Sequence, residues 1–191
     1  MNIVDTIITK EIKTMTKRYN NANEAYEAVL DEILQQGIDF GDTKAIFNCG
    51  FYIDNPSDKA ITNTERDWNK KYAAAEWAWY LSGDRSVEKL GNLYGKIPPI
   101  WKRMADKNGN VNSNYGWQWK RNGQLDEVVD MLRYNPSTRQ AAISIYDGKE
   151  WDRYICDTPC TYAVQFSIIN NKLCMSVYMR SNDIWYGFCN D

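Results

Sequence analysis

Several segments of the chain carry apolar residues every three or four positions, and this spacing predicts amphipathic helices. Helices are expected over residues 3–19, 23–36, 65–81, 85–93 and 124–134. In the second of these, Asn23 can cap the first turn and Gly37 follows the last one. Between residues 94 and 123, Gly, Pro and Asn interrupt the pattern, which predicts a long loop region of the kind that often carries function.

Other segments concentrate β-branched and aromatic residues without helical spacing, which predicts strands. These segments are residues 44–53, 140–146, 161–169 and 172–180. The last two are separated only by Asn170 and Asn171, and because asparagine tolerates positive φ we expect a hairpin there. Helices come first and strands later, with few regular βαβ units. The sequence therefore favours an α+β fold in a single domain over residues 1–191.

The composition argues against several classes of function. The formal net charge is −2 and there is no long basic run, so we expect no direct nucleic acid binding through a phosphate-neutralising face. No apolar stretch approaches the roughly 20 residues that span a bilayer. The N-terminal segment also lacks the apolar block of a signal peptide. We therefore expect no membrane partner and a cytoplasmic location, where thiols stay reduced.

The absence of histidine narrows the chemistry further. With 0 His among its 191 residues, the chain cannot use Ser–His or Cys–His catalysis. Its 5 Cys show no spacing that completes a zinc site, so no metal is expected. The 8 Trp and 13 Tyr exceed ordinary usage and indicate flat pockets and interfaces as well as a core.

A cysteine and an arginine are the first candidates for chemistry. Cys160 follows Pro159 and precedes a predicted strand, so the restricted proline backbone could present its thiol. A thiolate attacks electrophilic carbon well when a cation stabilises it. Arg180 and Ser181 end a predicted strand and could bind phosphate. Taken alone, however, Cys160 fits a buried structural cysteine better, and Arg180 fits a surface residue that closes a strand.

A carboxylate and a group of aromatic residues are the next candidates. Glu76 lies on a predicted helix among Ala and Trp residues. Burial there would favour its protonated form and suit it to proton transfer, although a glutamate on the wet face fits equally well. Trp101, Asn112, Asn114, Tyr115 and Gly116 lie in the long loop region, where aromatic faces could stack on a heterocycle or close the core.

Six motifs follow one another from the Glu76 helix onward. They are residues 76–84 (EWAWYLSGD), 100–101 (IW), 114–119 (NYGWQW), 135–139 (NPSTR), 159–160 with 165–166 (PC, QF), and 180–183 with 187 (RSND, G). In this order and with these gaps they resemble the thymidylate synthase family, from about residue 65 to residue 191. The resemblance implies a thymidylate synthase-like mixed β-sheet flanked by helices, with one sheet face forming a homodimer interface. It also implies that the family's C-terminal portion is missing after residue 191.

Departures from the synthase pattern point to one branch of that family. Thr161 follows the cysteine where the synthases have histidine, Met179 replaces a glutamine, and Asp191 stands where the synthases read the base with asparagine. Residues 112–116 (NSNYG) and 179–191 instead resemble the phage deoxycytidylate hydroxymethylases. A carboxylate accepts a hydrogen bond from the N4 amino group of cytosine, whereas an amide matches uracil. Asp191 therefore favours cytosine.

The resemblance implies that the chain converts dCMP to 5-hydroxymethyl-dCMP, with 5,10-methylenetetrahydrofolate as co-substrate and no metal. The resemblance implies that Cys160 is the nucleophile, that Glu76 acts in water and proton transfer, and that Tyr115 lies near C5. It places Asp191 and Gly187 at the base, and Arg180 and Ser181, with Arg139 from across the subunit boundary, at the 5′-phosphate. Trp101 and Asp183 would face the folate. Alternatives are a dUMP hydroxymethylase, a pyrimidine nucleotide 5-methylase of the synthase type, a CMP hydroxymethylase, and an inactive nucleotide-binding relative.

Overall fold

A computed structural model of the protein describes residues 17–149 and 156–190. These residues form two compact units. The N-terminal unit contains the described residues up to Trp68 together with Ile184–Cys189, and the C-terminal unit contains the described residues of Asn69–Asp183 together with Asn190. The single domain over residues 1–191 stays a prediction.

The N-terminal unit is built around one helix and two small pairs of strands. Its elements are β1 (Lys17–Tyr19), α1 (Ala22–Gln36), β2 (Ile38–Phe40), β3 (Thr43–Ala45), β4 (Phe51–Ile53) and a last short helix, α7 (Gly187–Asn190). Strand β1 runs parallel to β4, and β2 runs antiparallel to β3. The core consists of Tyr26, Ile61 and Cys189, with the ring of Phe188 stacked on Tyr26. This unit thus has an apolar centre of its own.

The two ends of α1 test the predicted capping residues. Gly37 is the C-cap, as the sequence predicts. The N-cap is Asn21 and not Asn23, because the Asn21 side chain accepts the backbone N–H of Glu24. The Asn23 side chain instead accepts the N–H of Thr62 and holds the following loop against the helix.

Two other predictions for this unit are wrong. Residues 17–19 form β1 instead of the end of a helix over 3–19, and the rest of that predicted helix lies outside the described residues. The single strand over 44–53 is replaced by β3 and β4, since Asn48 takes a φ of 55° and interrupts the extended backbone between them.

The C-terminal unit begins with helices. They are α2 (Lys70–Ser82), α3 (Val87–Tyr94), α4 (Pro99–Met104), α5 (Tyr115–Lys120) and α6 (Gln124–Tyr134). Helix α6 has the predicted bounds, and α3 lies close to the predicted 85–93. Helix α2 starts at Lys70 instead of residue 65, because Asp67 takes a φ of 46° and Asn69 caps the helix.

The predicted loop region over residues 94–123 is wrong in part, because it contains α4 and α5. Pro99 stands in the first turn of α4, where its missing N–H has no helical partner to lose. Asn114 caps α5. The residues that interrupt the apolar spacing therefore start short helices here.

A sheet of three strands follows the helices. Strands β5 (Ala142–Ser144), β6 (Thr161–Ile169) and β7 (Lys172–Met179) pair antiparallel in that order. The predicted strand over 140–146 is shorter in the structure, and the predicted hairpin is confirmed, with φ of 51° at Asn170 and 59° at Asn171. Strands β6 and β7 cover the predicted ranges except that β7 ends one residue early, at Met179.

One face of this sheet is buried against a helix. Ile143 and Val164 are fully buried, and they share a core with Phe166 and with Val128 of α6. A second core, around Trp79 and Leu90, lies between α2 and α3. Helices beside a largely antiparallel sheet confirm the α+β class. In the described part of the chain, no helix is long and apolar enough to cross a membrane.

Candidate active site

Cys160 lies directly before β6 and is fixed by hydrogen bonds of its backbone. Its N–H donates to the phenol oxygen of Tyr115 at 3.1 Å, and the N–H of Thr161 donates to the same oxygen at 3.3 Å. The carbonyl of Cys160 accepts the N–H of Arg180 at 2.9 Å. Cys160 itself is half-buried. The thiol is therefore held at the end of the sheet while it keeps access to solvent.

Arg180 is brought to Cys160 by the strand pairing. Because Thr161 pairs with Met179, the residue before β6 and the residue after β7 become neighbours. Nη2 of Arg180 lies 3.9 Å from the sulfur of Cys160. A cation at this position favours the thiolate over the thiol.

The guanidinium of Arg180 is oriented by oxygen atoms of the cysteine loop. Nη2 donates to the carbonyl of Thr158 at 2.9 Å, and Nε donates to the carbonyl of Pro159 at 3.2 Å. Nε also donates to the hydroxyl of Tyr146 at 2.9 Å, and that hydroxyl donates to the Pro159 carbonyl at 2.8 Å. Nη1 has no partner among the described residues. We name Cys160, Arg180 and Tyr146 the cysteine centre.

Tyr115 owes its position to the two residues beside it. Asn114 is fully buried and accepts the N–H of Trp117 at 2.8 Å, while its amide donates to the carbonyl of Trp79 at 3.1 Å. A Cβ at Gly116 would lie 1.6 Å from the carbonyl oxygen of Tyr80, so only glycine lets α5 pack this closely on α2. The NYG motif thus aims a phenol at the cysteine loop.

Glu76 is buried on α2, with an exposed fraction of 2%. Its Oε1 accepts the hydroxyl of Tyr72 at 2.5 Å and the indole N–H of Trp101 at 3.2 Å. The same indole N–H also donates to the Tyr72 hydroxyl at 2.7 Å. We name Glu76, Tyr72 and Trp101 the glutamate centre. Of the two alternatives left open for Glu76, the structure shows the buried one, and Trp101 lies on α4 instead of in a loop.

The two centres belong to the same unit and are linked through Tyr115. The ring of Tyr115 packs edge-on against that of Tyr80, with 5.7 Å between their centroids. Tyr80 follows Glu76 by one turn of α2 and lies on the same helical face. The phenol that holds the Cys160 backbone therefore rests on the helix that carries Glu76.

The structure does not bring all predicted residues together. Arg139 is exposed in the turn before β5, where its carbonyl accepts the side chain of Gln165 at 3.4 Å. Ser181 and Asp183 are exposed just after Arg180. Gly187 starts α7, which begins in the N-terminal unit, and Asp191 lies outside the described residues. The roles of these residues stay predictions.

Sequence reasoning missed three residues that support the site. Tyr72 precedes Glu76 by four residues on one helix, a spacing that could have indicated contact. Tyr146 reaches Arg180 only through the pairing of β5, β6 and β7, and no local pattern marks it. Asp157 is buried three residues before the cysteine, and a lone aspartate in a loop gives no signal.

The chain is similar to known proteins of one family. A family model described as thymidylate synthase matches residues 24–190. A thymidylate synthase of Wigglesworthia glossinidia brevipalpis is 36% identical over 122 residues, which cover 59% of this chain and 44% of that protein. The deoxycytidylate 5-hydroxymethyltransferase of Enterobacteria phage T4 is also 36% identical, over 131 residues that cover 64% of this chain and 52% of the relative. The chain thus spans about half the length of the curated relatives it matches.

The fold has a counterpart among solved structures. A thermostable thymidylate synthase A from Bacillus subtilis superposes with a TM-score of 0.61 at 24% identity, covering 86% of this chain and 66% of that one. This likeness supports the thymidylate synthase-like fold that the motifs imply. Because the family model covers most of the sequence, the chain belongs to the thymidylate synthase family.

Proposed function

We propose that the chain carries the active site of a folate-dependent enzyme that hydroxymethylates dCMP at C5. The observation that carries the proposal is the contact between Cys160 and Arg180, in a chain of this family, with both held by the surrounding backbone. Asp191 supports cytosine as the base, because a carboxylate matches its N4 amino group.

The cysteine centre starts the reaction. The Cys160 thiolate, stabilised by Arg180, adds to C6 of the pyrimidine, and the electron pair of the C5–C6 bond makes C5 nucleophilic. When bound, 5,10-methylenetetrahydrofolate would supply the one-carbon unit that becomes attached at C5, and it would leave as tetrahydrofolate when the C5 proton is lost, so that the nucleotide carries an exocyclic methylene group. In this proposal Tyr115 assists removal of the C5 proton, which is supported by the position of its phenol oxygen beside the Cys160 backbone.

The glutamate centre completes the reaction. Glu76 accepts hydrogen bonds from Tyr72 and Trp101, which hold its carboxylate in one orientation. From there it positions the water that adds to the exocyclic methylene carbon and takes one of its protons. The electron pair returned to C5 then expels the thiolate from C6, so Cys160 is regenerated and the product carries CH2OH.

The remaining roles concern binding. Arg180 and Ser181 hold the 5′-phosphate, and the guanidinium presents its Nη1 for that contact in addition to the nitrogens that hold the loop. Trp101 and Asp183 face the folate; the half-buried indole of Trp101, fixed by its N–H and by edge-on packing on Trp79, fits a flat heterocycle.

We propose a homodimer formed through the sheet face opposite the α6 core. Tyr162 and Tyr178 pack together on that face at 6.3 Å and stay 41% and 43% exposed. Ile169 on the same hairpin is 55% exposed. Apolar surface of this kind marks an interface. Arg139 would reach the phosphate of the partner subunit, and light scattering should give twice the mass of the chain.

Methylation of dUMP is the second candidate, because the identity to a thymidylate synthase equals that to a hydroxymethylase. Both reactions share the steps at Cys160 and diverge only when the methylene carbon receives water or hydride. The product masses differ, so one assay separates them.

The test is incubation of the protein with C5-tritiated dCMP and 5,10-methylenetetrahydrofolate. We expect tritium release into water and a nucleotide that has gained one carbon, one oxygen and two hydrogens. Cys160→Ala is the control and should release no tritium. Turnover of dUMP without turnover of dCMP would remove the cytosine assignment, and turnover of CMP would make the ribonucleotide the substrate. Binding of dCMP without any tritium release would indicate an inactive relative.

A further inference from the structure

A buried aspartate outside the motifs holds together two segments of the candidate site. Asp157 has an exposed fraction of 2%. Its Oδ2 accepts the backbone N–H of Asn112 and of Ser113, both at 2.6 Å, and its Oδ1 accepts the hydroxyl of Ser113 at 2.6 Å. Its backbone carbonyl accepts the side-chain amide of Asn112 at 2.9 Å. We name Asp157, Asn112 and Ser113 the aspartate clamp.

The clamp lies beside both groups that define the position of the thiol. Ser113 precedes Tyr115 by two residues, and Asp157 precedes Cys160 by three. The phenol of Tyr115 accepts the N–H of Cys160. The segment of Ser113 and Tyr115 is thus joined to the segment of Asp157 and Cys160 at two points. One is the Asp157 carboxylate and the other is the Tyr115 phenol, and together they fix the position of one segment relative to the other.

The far side of the clamp is anchored to the helical part of the unit. Arg85 donates to the side-chain oxygen of Asn112 and to the carbonyl of Val111, both at 2.8 Å. Gln118, which is almost fully buried on α5, donates to the carbonyl of Asn112 at 2.8 Å. The clamp therefore ties the loop that carries the thiol to a segment that is itself immobilised.

The chemistry of the contact calls for a polar side chain with an acceptor oxygen. Two successive N–H groups and one hydroxyl converge on it, and a side chain with two acceptor oxygens satisfies all three. An aliphatic residue at 157 would leave these buried donors unpaired, so the segments would separate to reach water. The acceptors of Asp157 thus determine how closely the loop of Cys160 approaches Tyr115 and Arg180.

We propose that Asp157 is a positioning residue for Cys160, which places the thiol beside Arg180 through the aspartate clamp. The proposal rests on the nucleophilic role assigned to Cys160 above. It treats Asn112, Ser113 and Asp157 as one unit, and it explains why asparagine and serine stand at positions 112 and 113.

The experiment measures the reactivity of the thiol itself, so it does not depend on the substrate. The full chain is treated with iodoacetamide, and peptide mass spectrometry gives the alkylation rate of Cys160 relative to that of the exposed Cys49 in the same sample. Asp157→Ala should lower this ratio about tenfold, because the thiolate loses its place beside the guanidinium. C5 tritium release should fall by about 100-fold, the loss typical of a small misplacement of reacting groups.

Matched variants separate positioning from loss of stability. Asp157→Asn should recover most of both losses, since its carbonyl oxygen can accept the two N–H groups and its amide can donate to Ser113. Ser113→Ala removes one bond and should lower the ratio only a few-fold. Leu90→Ala destabilises the α2–α3 core without removing a residue of the clamp and should leave the ratio unchanged.

Wild-type Cys160 reactivity in Asp157→Ala would overturn the proposal. An equal loss of the ratio in Leu90→Ala at the same melting temperature would overturn it too. If Asp157→Ala does not fold, the role of the clamp is tested with Ser113→Ala and Asp157→Asn. An unchanged ratio of Cys160 to Cys49 alkylation in Ser113→Ala would then contradict the proposal. If dCMP turns out not to be a substrate, the alkylation ratios still decide the role of Asp157.

Discussion

The cysteine centre and the glutamate centre are held in different ways. In the cysteine centre, the carbonyls of residues 158, 159 and 160 and the N–H of Cys160 make most of the contacts. In the glutamate centre, three side chains bind one another. In the first centre, Cys160 and Tyr146 are half-buried and Arg180 is exposed at the end of a sheet. In the second, Glu76 is buried, and Tyr72 and Trp101 beside it are half-buried.

This difference has a consequence for how each centre responds to change. The main-chain bond between Arg180 and Cys160 follows from the pairing of β6 with β7, and the bonds of Arg180 to the carbonyls of residues 158 and 159 do not depend on Tyr146. In the glutamate centre, each contact joins two of the three side chains and is lost when either of the two is removed. We therefore expect the glutamate centre to be the more sensitive of the two to conservative substitutions that remove a single polar group.

The largest effect on product formation is expected for Glu76→Gln, which tests whether the two centres act in different steps of the reaction. Glu76→Gln keeps an oxygen that accepts from Tyr72 and Trp101 but removes the base. Formation of the hydroxymethyl product should fall by about 10²–10⁴-fold, the usual contribution of a general base. The alkylation rate of Cys160 should not change. Quenched-flow product analysis and peptide mass spectrometry measure the two quantities, and a parallel loss of thiol reactivity would mean that the centres are not separate.

Arg180 provides the matching test on the other centre. Arg180→Ala should lower turnover by about 10- to 100-fold, because a charge-assisted contact to thiolate and phosphate is lost. Arg180→Lys should restore the thiol reactivity better than the nucleotide affinity, since lysine supplies charge without the planar fork. Isothermal titration with dCMP and the alkylation assay distinguish these effects. Equal nucleotide affinity in wild type and Arg180→Ala would remove the phosphate role.

One hydroxyl group can be deleted from each centre by the same substitution. Tyr72→Phe should slow product formation about tenfold, because Glu76 loses a hydrogen bond that orients its charge. Cys160 alkylation should stay at the wild-type rate. Tyr146→Phe should instead slow the alkylation of Cys160. The effect should be only a few-fold, because the carbonyl of Thr158 still holds Arg180 after the bond to Tyr146 is lost. If the two variants gave the same pair of effects, the distinction drawn between the centres would be wrong.

The smallest effect concerns the coupling between substitutions. Tyr72→Phe and Trp101→Phe remove groups of one network, so their effects on activation free energy should differ from additivity by about 0.5–3 kcal/mol. Tyr72→Phe combined with Tyr146→Phe should be additive within about 0.5 kcal/mol, since the two residues belong to different centres. Double-mutant cycles on turnover supply both values. Strong coupling across the centres would point to Tyr115 as a rigid connection.

Much of the fold could be predicted because it depends on local sequence. Helix α6 has apolar residues at helical spacing, and the β6–β7 hairpin has two asparagines that accept positive φ. Helices α4 and α5 escaped prediction because each is only 6 residues long, too short to show a period. The break at Asn48 escaped because apolar residues flank it on both sides and conceal the turn.

Only those residues of the candidate site that belong to sequence motifs could be predicted. Cys160, Arg180, Tyr115 and Glu76 were named from their order along the chain, and the structure joins Cys160 to Arg180 and to Tyr115. The residues that orient them depend on contacts between distant segments. Asp157 meets Ser113 across 44 positions and Tyr146 meets Arg180 across 34, and no local pattern contains such information.

The most direct test of the account is trapping of the nucleotide on the cysteine. With 5-fluoro-dCMP and 5,10-methylenetetrahydrofolate, addition of the thiolate to C6 should proceed, but C5 carries fluorine in place of the proton that must leave. The account predicts a stable adduct of protein, nucleotide and folate, located by peptide mass spectrometry on Cys160 and absent from Cys160→Ala. An adduct on any other cysteine, or turnover of dCMP by Cys160→Ala, would contradict it.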